Sequence, residues 1–241
     1  MKPRLIISPD PFLPIALVHE SAHATAAYHL RFPFSRVRIL KMGFGRCVGG
    51  GLSVDQHAAT VAFHMLKQKG AEFEDGFSVT LGTVLRIARR ANAGLNAGAP
   101  AASEENLNWY AKGDCRDLEG YFAKYSPDRQ NELSGRIDQE VERIFTLPTF
   151  SEAVDDIVPA LKARRSLTSD EVCSIIEAGV GDNLRNPARE PTRDEIEALA
   201  RQLSQHPAGR DQQLSHWLTA ERALRLALAI HHSVAPPVQE N

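Results

Sequence analysis

The chain is poor in cysteine, and the cysteines it has show no pairing pattern. Cys47, Cys115 and Cys173 are three in 241 residues, far apart and without a CxxC. An odd, scattered set excludes a disulfide framework and a cysteine zinc finger, and it fits a reducing cytoplasm. An excess of charge of one sign is also missing. Lys+Arg is 28 and Asp+Glu is 30, a formal net charge of −2, so no basic surplus points to nucleic acid or to an acidic membrane surface. Long apolar runs are absent. The segments 5–7 and 15–18 are too short for a signal-peptide core, and nothing approaches the roughly 20 apolar residues that span a bilayer. There is no GxxxxGK[ST] phosphate loop, hence no sign of nucleotide hydrolysis, and no internal repeat. Sixteen glycines and 14 prolines are too few for a collagen-like or low-complexity chain. What remains is a soluble, cytoplasmic globular protein of one domain or one domain with an appendage.

Patterning predicts a mostly α protein. Residues 11–31 read as a first long helix, with Asp10 as N-cap and Pro11 or Pro14 in the first turn. Leu13, Leu17, Ala24 and Leu30 mark its apolar stripe, and Val18, Ala22 and Ala26 widen it, so the helix should be largely buried. Alternation over 36–42 predicts a short strand, and 52–54 a return strand after the glycines at 43, 45 and 49–51. Helices are expected at about 57–69, 77–92, 104–112, 115–126, 127–146, 149–163 and 168–178, the last with a capping box from Thr168 to Glu171. The stretch 92–103, rich in Ala, Gly, Asn and Pro, reads as a loop. A linker over 182–192 and two further helices, about 193–205 and 211–232, complete the chain. The expected division is a domain over 1–181 and a linker with a C-terminal helical appendage over 182–241.

The chemistry is concentrated in His19-Glu20-Ser21-Ala22-His23, an HExxH inside the first helix. Residues at i and i+4 lie on one helix face about a turn apart, so both imidazoles can reach one tetrahedral ion. Glu20 points about 100° around the helix, where it can take a proton from water polarised by that ion. Two imidazoles and a carboxylate amid apolar residues are costly unless something binds them. The bland alternative is an amphipathic helix with two surface histidines. A catalytic zinc needs a third ligand and an open position. His29 faces away from the pair. His57 and His64 share a face without an acid between them, and His231 and His232 sit near the tail. The arginines at 86, 89 and 90 and at 164–165 read as solvated faces.

The segment His19-Glu20-Ser21-Ala22-His23-Ala24 resembles the HEAGHA of the peptidase domain of FtsH-type AAA proteases. The strand from Ser35 to Leu40, with the glycines that follow it, is similar to that family's edge strand and glycine turn. Gly113-Asp114-Cys115-Arg116-Asp117-Leu118 resembles its Gly-x-x-x-Asp-Leu segment, in which the Asp opens a helix. The stretches 140–161 and 167–172 look like its closing helices. The likeness covers about residues 10–178. The chain departs from the family at Ala22, where the family has Gly, in a longer separation of His23 from Asp117, and in lacking a preceding ATPase module.

The resemblance implies a helical zinc-peptidase domain with a small β-hairpin or sheet after the HExxH helix. It implies metal ligands His19, His23 and Asp117, Zn2+ as the cofactor and Glu20 as general base. Asp114 is the main alternative for the third position, then Glu119 and Asp75; without the resemblance, Asp117 reads as a helix-start acid. The expected function is a zinc metalloendopeptidase, ATP-independent as encoded. Its partner is a polypeptide substrate paired in extended form with the strand 36–42, with no nucleic acid and no membrane. The alternative is a non-catalytic, metal-containing helical interaction module. The amphipathic positions Ile196, Leu199, Leu203, Leu214, Leu218, Leu224 and Leu228 offer it a face for a partner or a second copy.

Overall fold

The computed structural model describes residues 12–41, 47–96, 103–205 and 213–234. The expected N-cap Asp10, the turn glycines at 43 and 45 and the tail after 234 lie outside them. The fold is mostly helical, with one small antiparallel sheet. Helix α1 (Leu13–His29) runs through its middle, and every residue from Ile15 to His29 is buried. The expected apolar stripe is therefore a fully enclosed helix, as a helix without a polar face must be. Ala16, Ser21, Ala22, Ala24, Thr25, Ala26 and Ala27 keep it thin enough for neighbours on all sides. It packs on α3 (Ala71–Leu95), α6 (Pro148–Arg164), α7 (Ser169–Gly179) and both long strands.

Strand β1 (Phe34–Lys41) pairs with β2 (Cys47–Val54) and with β3 (Ser166–Thr168), in the order β2-β1-β3. Arg36, Val37 and Arg38 have partners on both sides. This corrects the expectation that β1 is the strand offered to a substrate: its hydrogen-bonding groups there are taken, and the strand at the sheet's margin beside the site is β2. The three-residue β3 was not expected. Its Thr168 also serves as the expected cap of α7, with Thr168 and Glu171 bonded reciprocally in a capping box.

Helix α2 (Gln56–Lys67) follows β2 at once, with Asp55 accepting from the Ala58 amide as its N-cap. Helix α3 continues to Leu95, so the start of the expected loop is helical. Helix α4 (Glu104–Phe122) is one helix where two were expected. Gly113 does not break it, and Asp114 and Asp117 sit inside it rather than at a helix start. Helix α5 (Pro127–Phe145) lies along α3, which Gly82 allows: a Cβ there would stand 2.2 Å from Ile137 Cδ1. Arg86–Asp138 and Arg90–Glu142 ion pairs stitch α3 to α5 along a solvated face, as expected of these arginines.

The expected boundary at 181/182 is not a break in packing. Arg31, in the left-handed region at φ 54, ends α1 and donates to the carbonyls of Asn186 and Ala188 at 2.8 and 2.5 Å. His29 Nδ1 lies 2.5 Å from the Leu184 carbonyl, and Leu184 is fully buried. Helices α8 (Arg193–Ser204) and α9 (Gln213–Val234) pair with each other. Ala223, Leu226, Ala227 and Ile230 of α9 belong to the main core, and Arg222 binds Asp55 at 2.8 Å.

Candidate metal centre

His19 and His23 stand one turn apart on α1 because HExxH is helical there. Their Nε2 atoms are 3.1 Å apart and their rings meet edge-on at 85°. Asp114, in the middle of α4, brings Oδ2 to 2.9 Å from His19 Nε2 and 3.2 Å from His23 Nε2. Ligand atoms of these three residues all lie within 4.8 Å of one another. The carboxylate that the structure gathers with the histidines is thus Asp114. Asp117, one turn further along α4, lines the same cavity but stays outside the group and is exposed. Asp75 is engaged elsewhere, by Arg129 and, at 4.0 Å, by Arg136. Glu119 is exposed and faces a different hollow.

The Nδ1 atoms are held from α3. His23 Nδ1 is 2.6 Å from the Val84 carbonyl oxygen, and His19 Nδ1 is 3.2 Å from Asn92 Nδ2. Asn96 Nδ2 donates to Asn92 Oδ1 at 2.8 Å. With both Nδ1 atoms occupied, both Nε2 atoms face Asp114. Fixing one ring nitrogen so that the other can bind a metal is the usual way such a ligand is oriented. Sequence reasoning placed Asn92 where an expected helix, 77–92, meets an expected loop, 92–103, and gave it no role. A polar residue at the buried positions of the α3 periodicity was the signal that could have found it.

Glu20 is buried between α1 and β2, and its Oε2 has no hydrogen-bond partner. A Cβ built on Gly50 would stand 2.5 Å from Glu20 Cγ and Oε1 and 2.5 Å from the Arg38 carbonyl oxygen. Only glycine fits there, so the glycine run of β2 makes room for the carboxylate. Beside it lies a cavity of about 600 Å³. Phe32, Leu52, Val54, Leu81 and Leu85 give it apolar walls, and no Lys or Arg lines it among the described residues.

The electrostatics follow from burial and crowding. Burial pushes the Glu20 carboxyl up to about 8. Burial pulls His19 below its ordinary value, against the Asp114 hydrogen bond that raises it. Burial also pulls on His23, but the charge and hydrogen bond of Asp114, with the charge of Glu20, carry it up to about 9. Asp114 is itself opposed by burial, yet His23 and the bonds from both imidazoles hold it well below the usual carboxylate range. Two imidazoles and a carboxylate at hydrogen-bond distance, beside an unpartnered buried carboxylate, fit a divalent cation: the donor set matches the two-His, one-acid pattern of catalytic zinc. Comparison with protein-family models, with curated proteins and with solved structures finds no match. No helix among the described residues is long and apolar enough to cross a membrane.

Proposed function

We propose that the chain is a zinc-dependent metalloendopeptidase akin to the FtsH-type peptidase domain, with His19, His23 and Asp114 as the metal ligands and Glu20 as general base. The observation that carries this reading is the convergence of those three donors beside the unpartnered Oε2 of buried Glu20, at the wall of a cavity large enough for peptide side chains. A divalent ion held there supplies Lewis-acid polarisation of water and of the scissile carbonyl.

The chain's own residues do the rest. Glu20 takes the proton of the attacking water and passes it to the leaving amine. Its carboxyl is held protonated near neutrality by burial, and a divalent charge bound close by would favour the ionised form that a base needs. The substrate lies extended along β2, whose main chain from Gly50 to Val54 borders the cavity; strand addition at a sheet margin supplies sequence-tolerant affinity. The apolar walls take an apolar side chain. Among the described residues no basic side chain lines the cavity to anchor a terminal carboxylate, which favours internal cleavage over carboxypeptidase action.

The decisive experiment measures zinc per chain and cleavage of an unfolded polypeptide by the full protein. One zinc per chain is expected, with activity that Glu20→Gln lowers about 10²–10⁴-fold while the zinc stays. Full activity of Glu20→Gln in a protease-free preparation removes Glu20 as the base. A second reading, a non-catalytic interaction module, draws on exposed Leu214 and Leu218, one turn apart on α9. A zinc-loaded wild type that cleaves no peptide favours it.

A further inference from the structure

Two buried asparagines close α3, Asn92 in its last turn and Asn96 as its C-cap, and the side chain of neither belongs to the apolar core. Asn92 is fully buried and Asn96 is 8% exposed. Asparagine is a poor helix former, and an amide taken from water is costly unless hydrogen-bonded. At i and i+4 the two bond each other, and Asn92 spends its remaining polar group on His19 Nδ1.

The two histidines differ in what holds them. His23 Nδ1 faces a backbone carbonyl, which can only accept, so His23 must carry its proton on Nδ1 to make that bond. His19 Nδ1 faces an amide, which can donate through Nδ2 or accept through Oδ1. In the arrangement observed, Asn92 Nδ2 donates to a bare His19 Nδ1, and His19 Nε2–H donates to Asp114. When Nε2 gives its lone pair to a cation, the His19 proton must sit on Nδ1, and the amide must then accept.

We propose that Asn92 is the positioning residue of His19, and that its side-chain amide turns over, together with that of Asn96, when the metal binds. The pair therefore supports both tautomers of one ligand with one shape. In the turned state His19 Nδ1–H donates to Asn92 Oδ1, and Asn92 Nδ2–H donates to Asn96 Oδ1. An aspartate at 92 could serve only the metal-bound tautomer and a leucine neither. The inference rests on the metal-centre reading and adds to it a mechanism for accepting the ion.

The test uses the full chain and zinc alone. Zinc affinity is measured by chelator competition for wild type, Asn92→Leu and Asn92→Asp. The side-chain amide signals of Asn92 and Asn96 are followed by ¹⁵N NMR in the wild type as zinc is added. Asn92→Leu should bind zinc about 10–100-fold more weakly, the usual loss for an outer-shell partner. Asn92→Asp, which keeps an acceptor, should bind at least as tightly as wild type. Both amide signals should move on zinc binding. A Leu variant with wild-type affinity, or an Asp variant as weak as the Leu variant, overturns the positioning role. Amide signals of Asn92 and Asn96 that stay put overturn the turnover, and this measurement needs no variant to fold. A wild type that binds zinc while these signs are missing sinks this inference alone; a wild type that binds no zinc sinks the metal centre and the inference together.

Discussion

At the scale of single residues, the third ligand separates two aspartates one turn apart. Asp114→Asn replaces the carboxylate between the histidines with a neutral amide, and zinc content by elemental analysis should fall to a small fraction of wild type. Asp117→Asn should keep its zinc and change only the handling of substrate in the cavity. The opposite result returns Asp117 to the ligand set that the family resemblance implies. The pair His19 and His23 was legible in the sequence because helical spacing alone brings i and i+4 together. The choice between Asp114 and Asp117 was not, because it depends on the rotation of α4 about its own axis, which packing decides. The resemblance put a helix start after Gly113, and α4 instead runs unbroken from Glu104 to Phe122. Asn92 showed in the sequence only as a polar residue at a buried position of the α3 periodicity; its task was hidden, because only its tertiary position next to His19 supplies it.

Protons supply a second test at this scale. Glu20 and His23 both bind a proton more tightly in the folded chain than their ordinary values of 4.5 and 6.5. The stability each contributes is complete below its ordinary value, declines as pH rises above it, and is gone once pH has passed about 8 for Glu20 and about 9 for His23. Asp114 works the other way, its contribution being lost only as pH falls below its ordinary 3.8. Protein stripped by a chelator should therefore melt at a lower temperature at about pH 9.5 than at about pH 6. Zinc must displace the His23 proton, so added zinc should raise the melting temperature more at about pH 8.5 than at about pH 6.5. Calorimetry at matched ionic strength checks both signs.

At the scale of elements, β2 carries more than its three glycines suggest. Gly50→Ala should push Glu20 or the β1–β2 pairing out of place, since the added methyl meets the Glu20 side chain and the Arg38 carbonyl. Peptidase activity should fall at least about tenfold with zinc content unchanged, whereas Gly51→Ala, which meets nothing within 4 Å, should remain close to wild type in activity. Most helices were legible, since apolar periodicity and the capping signal at Thr168 are local. The partner of β1 at its second edge was not. Strand β3 is three residues long, too short for alternation to show, and its pairing joins residues about 130 positions apart in the chain. Missing it made β1 look like a sheet edge.

At the scale of the molecule, the C-terminal helices decide a further test. A chain ending near residue 180 loses Leu184, Ala223, Leu226, Ala227 and Ile230 from the main core, and with them the Arg222 grip on Asp55. The expected linker over 182–192, which holds Pro187 and Pro191, suggested a separable appendage, but prolines mark where a helix stops, not where a core does. Each large apolar side chain removed costs about 2–5 kcal/mol, several times over, against a total stability of about 5–15 kcal/mol. The truncated chain should be insoluble or molten, with lost near-ultraviolet dichroism. A soluble, zinc-loaded fragment with a sharp melting transition would restore the appendage.

The enclosure of α1 has a kinetic meaning as well. Amide hydrogens exchange with solvent through whichever opening exposes them, and a helix wrapped on every side has no private opening. The amides from Leu17 to Ala27 should be among the slowest in the molecule, exchanging only with the unfolding of the whole. The HExxH motif is then the last part of the chain to come apart. Under the proposed function, the helix that carries the metal-binding histidines and the base is also the one that local openings leave intact.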